Sequence, residues 1–139
     1  MAINTAGQTF VPASLVYSDG WAKYAEGSNT FDATAIVATD YITVNVGFIP
    51  KYFVWSNDTD RILNEWRDGM AADSAINTLA AGTRALSVTG GTRGIIVGTG
   101  ALTSANSNVI PGAGQVQISQ NATLGAILAS KVCRWSAWG

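Results

Sequence analysis

The pattern that most constrains this chain is strict alternation of apolar and polar residues over short runs cut by turn formers. In Tyr41–Val46 the residues Ile42, Val44 and Val46 fall on one side, and Tyr41, Thr43 and Asn45 on the other. A side-chain period of two is that of a β-strand with one face toward a core. Lys51–Ser56 is rich in aromatic and β-branched residues. It is followed by Asn57-Asp58-Thr59-Asp60, whose side chains readily bond their own backbone, and then by Arg61–Arg67 and Asp68-Gly69. That succession reads as a hairpin closed by a second turn. Ala33–Thr39 reads as a strand, as does Gln115–Gln120. Gly125–Trp138 reads as one long final strand. Thr83–Thr89 and Thr92–Val97 flank Gly90-Gly91 and read as a hairpin. Asp73–Ala81 fits a short helix capped by Asp73 and stopped by Gly82, and fits a loop or strand equally well. Thr103–Asn108 reads as a polar loop ending at Pro111-Gly112. Many short strands with regular turn signals, and no alternating βα units, predict an all-β sandwich or barrel with at most one short helix.

The chain has 139 residues, enough for one domain with a core of its own. No fixed-period repeat and no linker divides it. The expected organisation is an extended N-terminal arm over residues 1–12 and a single β-sandwich domain over 13–139. Only 12% of residues are charged, about half the usual share. A weakly charged surface costs little to strip of water, which suits a protein covered by neighbours. Residues 1–73 carry nine acids and four bases, 4 − 9 = −5, whereas residues 74–139 carry four bases and no acid. If the two halves interleave in one sandwich, those charges mix in space. Four scattered bases do not make a nucleic-acid groove, and no run is long enough to span a membrane as a helix.

Chemistry is hard to place. There is no histidine, which removes Ser–His and Cys–His pairs and histidine metal sites. The single cysteine, Cys133, lies in an apolar run and reads as a core residue that forms no intramolecular disulfide. The acids Asp58, Asp60, Glu65 and Asp68 cluster in the hairpin without calcium-loop spacing, and a solvated turn explains them. Gly90–Gly94 and Gly98-Thr99-Gly100 lack the ending of a phosphate loop. The sequons at Asn57 and Asn121 matter only in a secretory pathway, and the N-terminus shows no signal peptide. The expectation is a non-enzyme with no catalytic residue, metal or cofactor.

Five tryptophans are many for this length. Trp55 and Trp66 sit within strands and read as core or sheet-face residues. Trp135 and Trp138 crowd the last residues beside Arg134, which makes sense only if that end packs on its own domain or on a neighbour. Together with Phe10 and Val11 in the uncharged first segment, Arg134, Trp135 and Trp138 are the candidate protein-contact residues.

One set of segments resembles a pattern recurring in small virion proteins of tailed bacteriophages. It comprises Gly47-Phe48-Ile49-Pro50-Lys51-Tyr52, Asn57-Asp58-Thr59-Asp60, Glu65-Trp66-Arg67-Asp68-Gly69-Met70-Ala71, Ser74-Ala75-Ile76, Ala80-Ala81-Gly82-Thr83-Arg84 and Gly90-Gly91, within residues 42–100. Those proteins are capsid cement or decoration proteins. The resemblance implies a jelly-roll-like sandwich on the outer surface of the virion, made in the host cytoplasm. It would bind the phage major capsid protein across capsomer seams, and itself as a dimer in preference to a trimer. The competing expectations are a virion-surface or tail-associated carbohydrate-binding module and, behind it, a small hydrolase.

Overall fold

The computed structural model describes residues 10–12, 15–18, 23–37, 40–71, 73–87, 94–98, 112–120 and 126–139. Eleven strands form within them: β1 (Phe10–Pro12), β2 (Leu15–Ser18), β3 (Lys23–Thr30), β4 (Tyr41–Asn45), β5 (Tyr52–Asn57), β6 (Ile62–Arg67), β7 (Ala75–Thr78), β8 (Arg84–Ser87), β9 (Ile95–Val97), β10 (Gln115–Ser119) and β11 (Val132–Trp138). They build a four-stranded sheet, β1-β4-β10-β9, and a seven-stranded sheet, β2-β3-β11-β5-β6-β7-β8. The fold is an all-β sandwich, with no helix among the described residues. The chain switches sheets repeatedly, and all named strand pairs are antiparallel except β1 with β4.

The alternation seen in the sequence builds the core. Ile42, Val44 and Val46 of the small sheet, with Val116, Ile118, Ile95 and Val97, face Phe53, Trp55, Trp66, Cys133 and Trp135 of the large one. Trp55 is fully buried and its indole N–H donates to the Ala126 carbonyl at 2.7 Å. Phe53 and Trp135 stack at 5.9 Å between centroids. Trp135 lies over Gly27, its register partner, where a Cβ would meet the indole nitrogen at 2.5 Å. Only glycine leaves room for that ring.

The β5–β6 hairpin forms as expected. The Asn57–Asp60 turn is clamped onto β11: Asp58 N–H donates to the Val132 carbonyl, Val132 N–H donates to Thr59 Oγ1, and Lys131 Nζ meets Asp60 Oδ1 at 3.1 Å. The charges of the two chain halves do mix, since Arg84 pairs with Glu65, Lys131 with Asp60 and Arg134 with Asp58.

Three local expectations change, and one left open is settled. Ala33–Val37 is irregular, held by turn bonds such as Thr34 N–H to Asp32 Oδ1. Of the readings open for Asp73–Ala81, the strand is the one that forms, as β7. Its hairpin to β8 is closed by Leu79 N–H on the Thr83 carbonyl. That hairpin takes the partner that Thr92–Val97 was expected to supply, and β9 joins β10 in the other sheet. The final strand is only Val132–Trp138, because Ala126 and Ile127 turn inward to fill the core and Ser130 takes a left-handed conformation (φ 62°). Residues 1–9, the Gly90-Gly91 turn, the Thr103–Asn108 loop and the Asn121 sequon lie outside the described residues.

Asp73 joins the sheets. It is fully buried at φ 61°, and its Oδ1 accepts from Gly94 N–H at 3.1 Å and Ser119 Oγ at 3.2 Å. Gly94 lies so close that a Cβ there would fall 2.5 Å from the Ser74 carbonyl carbon. The expected N-cap is instead a polar tie between layers.

Candidate binding face

The two sheets differ in what they leave open. On the small sheet most residues pointing away from the core, Tyr41, Thr43, Ile96, Gln117 and Ser119, are buried as well, and only the Asn45–Gln115 pair at one end of β4 and β10 is open. On the large sheet the outward set along β3, β11, β5, β6 and β8 is half-buried or exposed. Directly opposed residues in adjacent antiparallel strands share a face, so the strand registers define rows across this surface.

The first row runs Tyr24–Trp138–Tyr52–Arg67. Tyr24 and Trp138 have ring centroids 5.4 Å apart, and Trp138 and Tyr52 5.2 Å apart. Both phenols are anchored, Tyr24 O–H on Glu26 at 3.0 Å and Tyr52 O–H on Glu65 at 2.8 Å. The Arg67 guanidinium carbon lies 5.5 Å from the Tyr52 ring centroid. Burial, and next the Glu65 carboxylate, raise the Tyr52 pKa above its ordinary value. Trp138 keeps 39% of its surface exposed. Beside Tyr52 is a shallow depression of about 420 Å³ lined by Lys51, Tyr52, Arg67 and Asp68. Along β3 and β11 lies a second of about 390 Å³, bordered by Glu26, Ser28, Arg134 and Ser136.

The next row, Val54–Glu65–Ile76–Leu86, and its neighbour Leu63–Thr78–Arg84 form an aliphatic patch over β5–β8. Glu65 sits at the junction of the two regions. It is 3.7 Å from both Arg67 and Arg84, which are well exposed themselves. Leu86 is 59% exposed, the most of any large hydrophobic side chain among the described residues.

The expected contact residues separate. Trp138 and Arg134 lie on the open face, Arg134 held by Asp58 at 3.1 Å. Trp135 is 2% exposed and belongs to the core. Phe10 and Val11 stand in β1 opposite Thr43 and Val44. Tyr24 and Leu86 were not singled out in the sequence, and Glu65 and Tyr52 entered only through the hairpin acids and the phage-like segments. Each occupies an outward strand position, but only the strand order brings them together. Cys133 is fully buried and its thiol is pushed up to about 12 by burial, then by the charges of Asp58 and Asp60. It stays protonated at neutral pH and has no nucleophilic character. Asp60 is held below the usual carboxylate range, first by the Lys131 hydrogen bond.

No protein-family model matches the chain, and no curated protein or solved structure matches it significantly.

Proposed function

We propose that this protein is a capsid cement protein of a tailed bacteriophage, which binds the major capsid protein on the outside of the shell as a dimer and stabilises it against internal pressure. The observation that carries the reading is the patch over β5–β8. The phage-like segments, separate in sequence, bring Glu65 and Arg84 into contact there. Around that pair lie Val54, Leu63, Ile76 and Leu86 on an open sheet face. Apolar side chains around an arginine form the kind of surface that protein interfaces use. Many copies around one closed shell need only a modest interface each, because the shell holds its sites together.

The test is to add the purified protein to empty mature shells of the phage that encodes it. Co-sedimentation at micromolar concentration and a higher shell melting temperature are expected. Leu86→Asp, an exposed change with little cost to folding, should abolish both. Shells that bind nothing at that concentration refute the reading.

A further inference from the structure

We infer that β8 joins a second copy of this chain edge to edge, antiparallel about a two-fold axis at Ala85, so that the large sheets of two molecules become one. The inference deepens the shell-binding reading and rests on it for what the dimer does. The pairing itself stands on the geometry of the edge.

β8 ends the seven-stranded sheet, and no described strand lies beyond it. Successive residues of a strand point to opposite faces, yet Arg84, Ala85 and Leu86 are all exposed. Both faces of the strand are therefore bare. Open edges are commonly kept from pairing by a bulge, a proline or an inward-pointing charge, and β8 has none of these. Its ladder with β7 runs without interruption from Ala75–Ser87 to Thr78–Arg84. Its sequence is Arg-Ala-Leu-Ser, and its inward residue beside buried Asn77 is Ala85. The one charge, Arg84, lies on the outward face 3.7 Å from Glu65.

The phase of the hydrogen bonds selects the register. Leu79 N–H donates to the Thr83 carbonyl, so the Thr83 backbone is turned toward β7. Along an antiparallel strand the backbone groups of alternate residues face alternate sides. Those of Ala85 also face β7, and those of Arg84 and Leu86 face the open edge. A two-fold axis at Ala85, normal to the sheet, sets Arg84 of each copy opposite Leu86 of the other. Each such pair exchanges two bonds, so the outward amides and carbonyls of both residues are satisfied at once. An axis at Arg84 or at Leu86 would pair only one of the two with a residue of β8.

The side chains agree with that register and favour a second copy over a foreign strand. At the axis two alanines meet in a close pair, with Cα atoms about 4.5 Å apart. On the outward face Leu86 meets the stem of the partner's Arg84, and the two arginines do not oppose each other. The patch around Ile76 and Leu86 then continues across the axis into its symmetry mate. Both copies of β8 become interior strands, so this contact closes at two. It is small beside the roughly 800 Å² per partner of a stable dimer, and association in the upper micromolar range is expected.

The test is sedimentation velocity of the full chain from micromolar to near-millimolar concentration, where reversible monomer–dimer exchange is expected. Arg84→Pro removes an outward N–H and no bond to β7, and should abolish the dimer while the circular dichroism spectrum is kept. Ala85→Lys, at an exposed position off the outward patch, sets two ammonium groups face to face and should weaken association several-fold. Ala85→Cys, oxidised with diamide, should give a disulfide-linked dimer, since its Cα separation lies within a disulfide's reach. Thr83→Cys, whose copies would lie four positions apart along the joint, should not, and Cys133 is buried and does not compete. Monomers at every concentration overturn the inference, as does a dimer that Arg84→Pro and Ala85→Lys leave intact, or equal cross-linking of the two cysteine variants. No shell enters these measurements, so the pairing fails or succeeds separately from shell binding.

Discussion

Around β4, β9 and β10 the small sheet is buried on both faces except at Asn45 and Gln115, whereas the large sheet is buried on one. Both are built from the same alternating strands, and the difference lies in what the second face carries. Around β4 and β10 it holds Tyr41, Thr43, Gln117 and Ser119, all of them inaccessible. Across β3, β11 and β5–β8 it holds tyrosines, a tryptophan, aliphatic residues and paired charges within reach of solvent. Along β4, β9 and β10 one layer is scaffold on nearly all of both sides. The other has a structural side and a side free to meet something else. Tryptophan shows the contrast within one strand, since Trp135 and Trp138 of β11 point to opposite sides of the same sheet.

The largest test of that contrast sets two tryptophans against each other. Trp55→Ala removes a fully buried ring and its hydrogen bond to Ala126, and should cost about 3–5 kcal/mol in urea denaturation. Trp138→Ala, on the open side, should cost under about 1.5 kcal/mol. Equal losses would mean the outer row is structural. Next comes the junction between layers. Asp73→Ala strands the Gly94 amide and the Ser119 hydroxyl, and a loss of about 2–3 kcal/mol is expected. Hydrogen exchange should show β9 and β10 loosening before β5 and β11.

The smallest effect concerns the clamp of the β5–β6 turn. The Asp60 carboxyl has a folded pKa below its unfolded one. Its stabilisation is therefore present above the ordinary carboxylate pKa and fades as pH falls through the lowered value. The pair is partly exposed, so the effect should stay within about 1 kcal/mol. Melting temperatures from pH 7 down to about 3 should fall less steeply for Asp60→Asn than for the parent protein.

The sequence made the strand character legible wherever alternation ran against a clear turn, as in Tyr41–Val46 and in the hairpin around Asn57–Asp60. It misled where an apolar stretch fills the core without being a strand, as at Ala126 and Ile127. It also misled where two plausible strands flank glycines but belong to different layers, as β8 and β9 do. Pairing between distant segments leaves no local trace, because a strand's pattern says which side is wet but not which strand lies beside it. The aromatic row was illegible for that reason. Tyr24, Tyr52 and Trp138 are ordinary outward residues until β11 is placed between β3 and β5.

That placement also bears on how the molecule comes into being. β11 follows every other strand of the described residues and sits inside the large sheet, bonded to β3 on one side and to β5 on the other. Without β11 the large sheet falls into two pieces, β2-β3 and β5-β6-β7-β8, each with a raw edge that can pair with another chain. The sheet closes only when β11 enters between β3 and β5, which makes closure a long-range event. A nascent chain interrupted shortly before Val132 would therefore be a sticky intermediate, with two unfilled edges where the finished sheet has a continuous ladder.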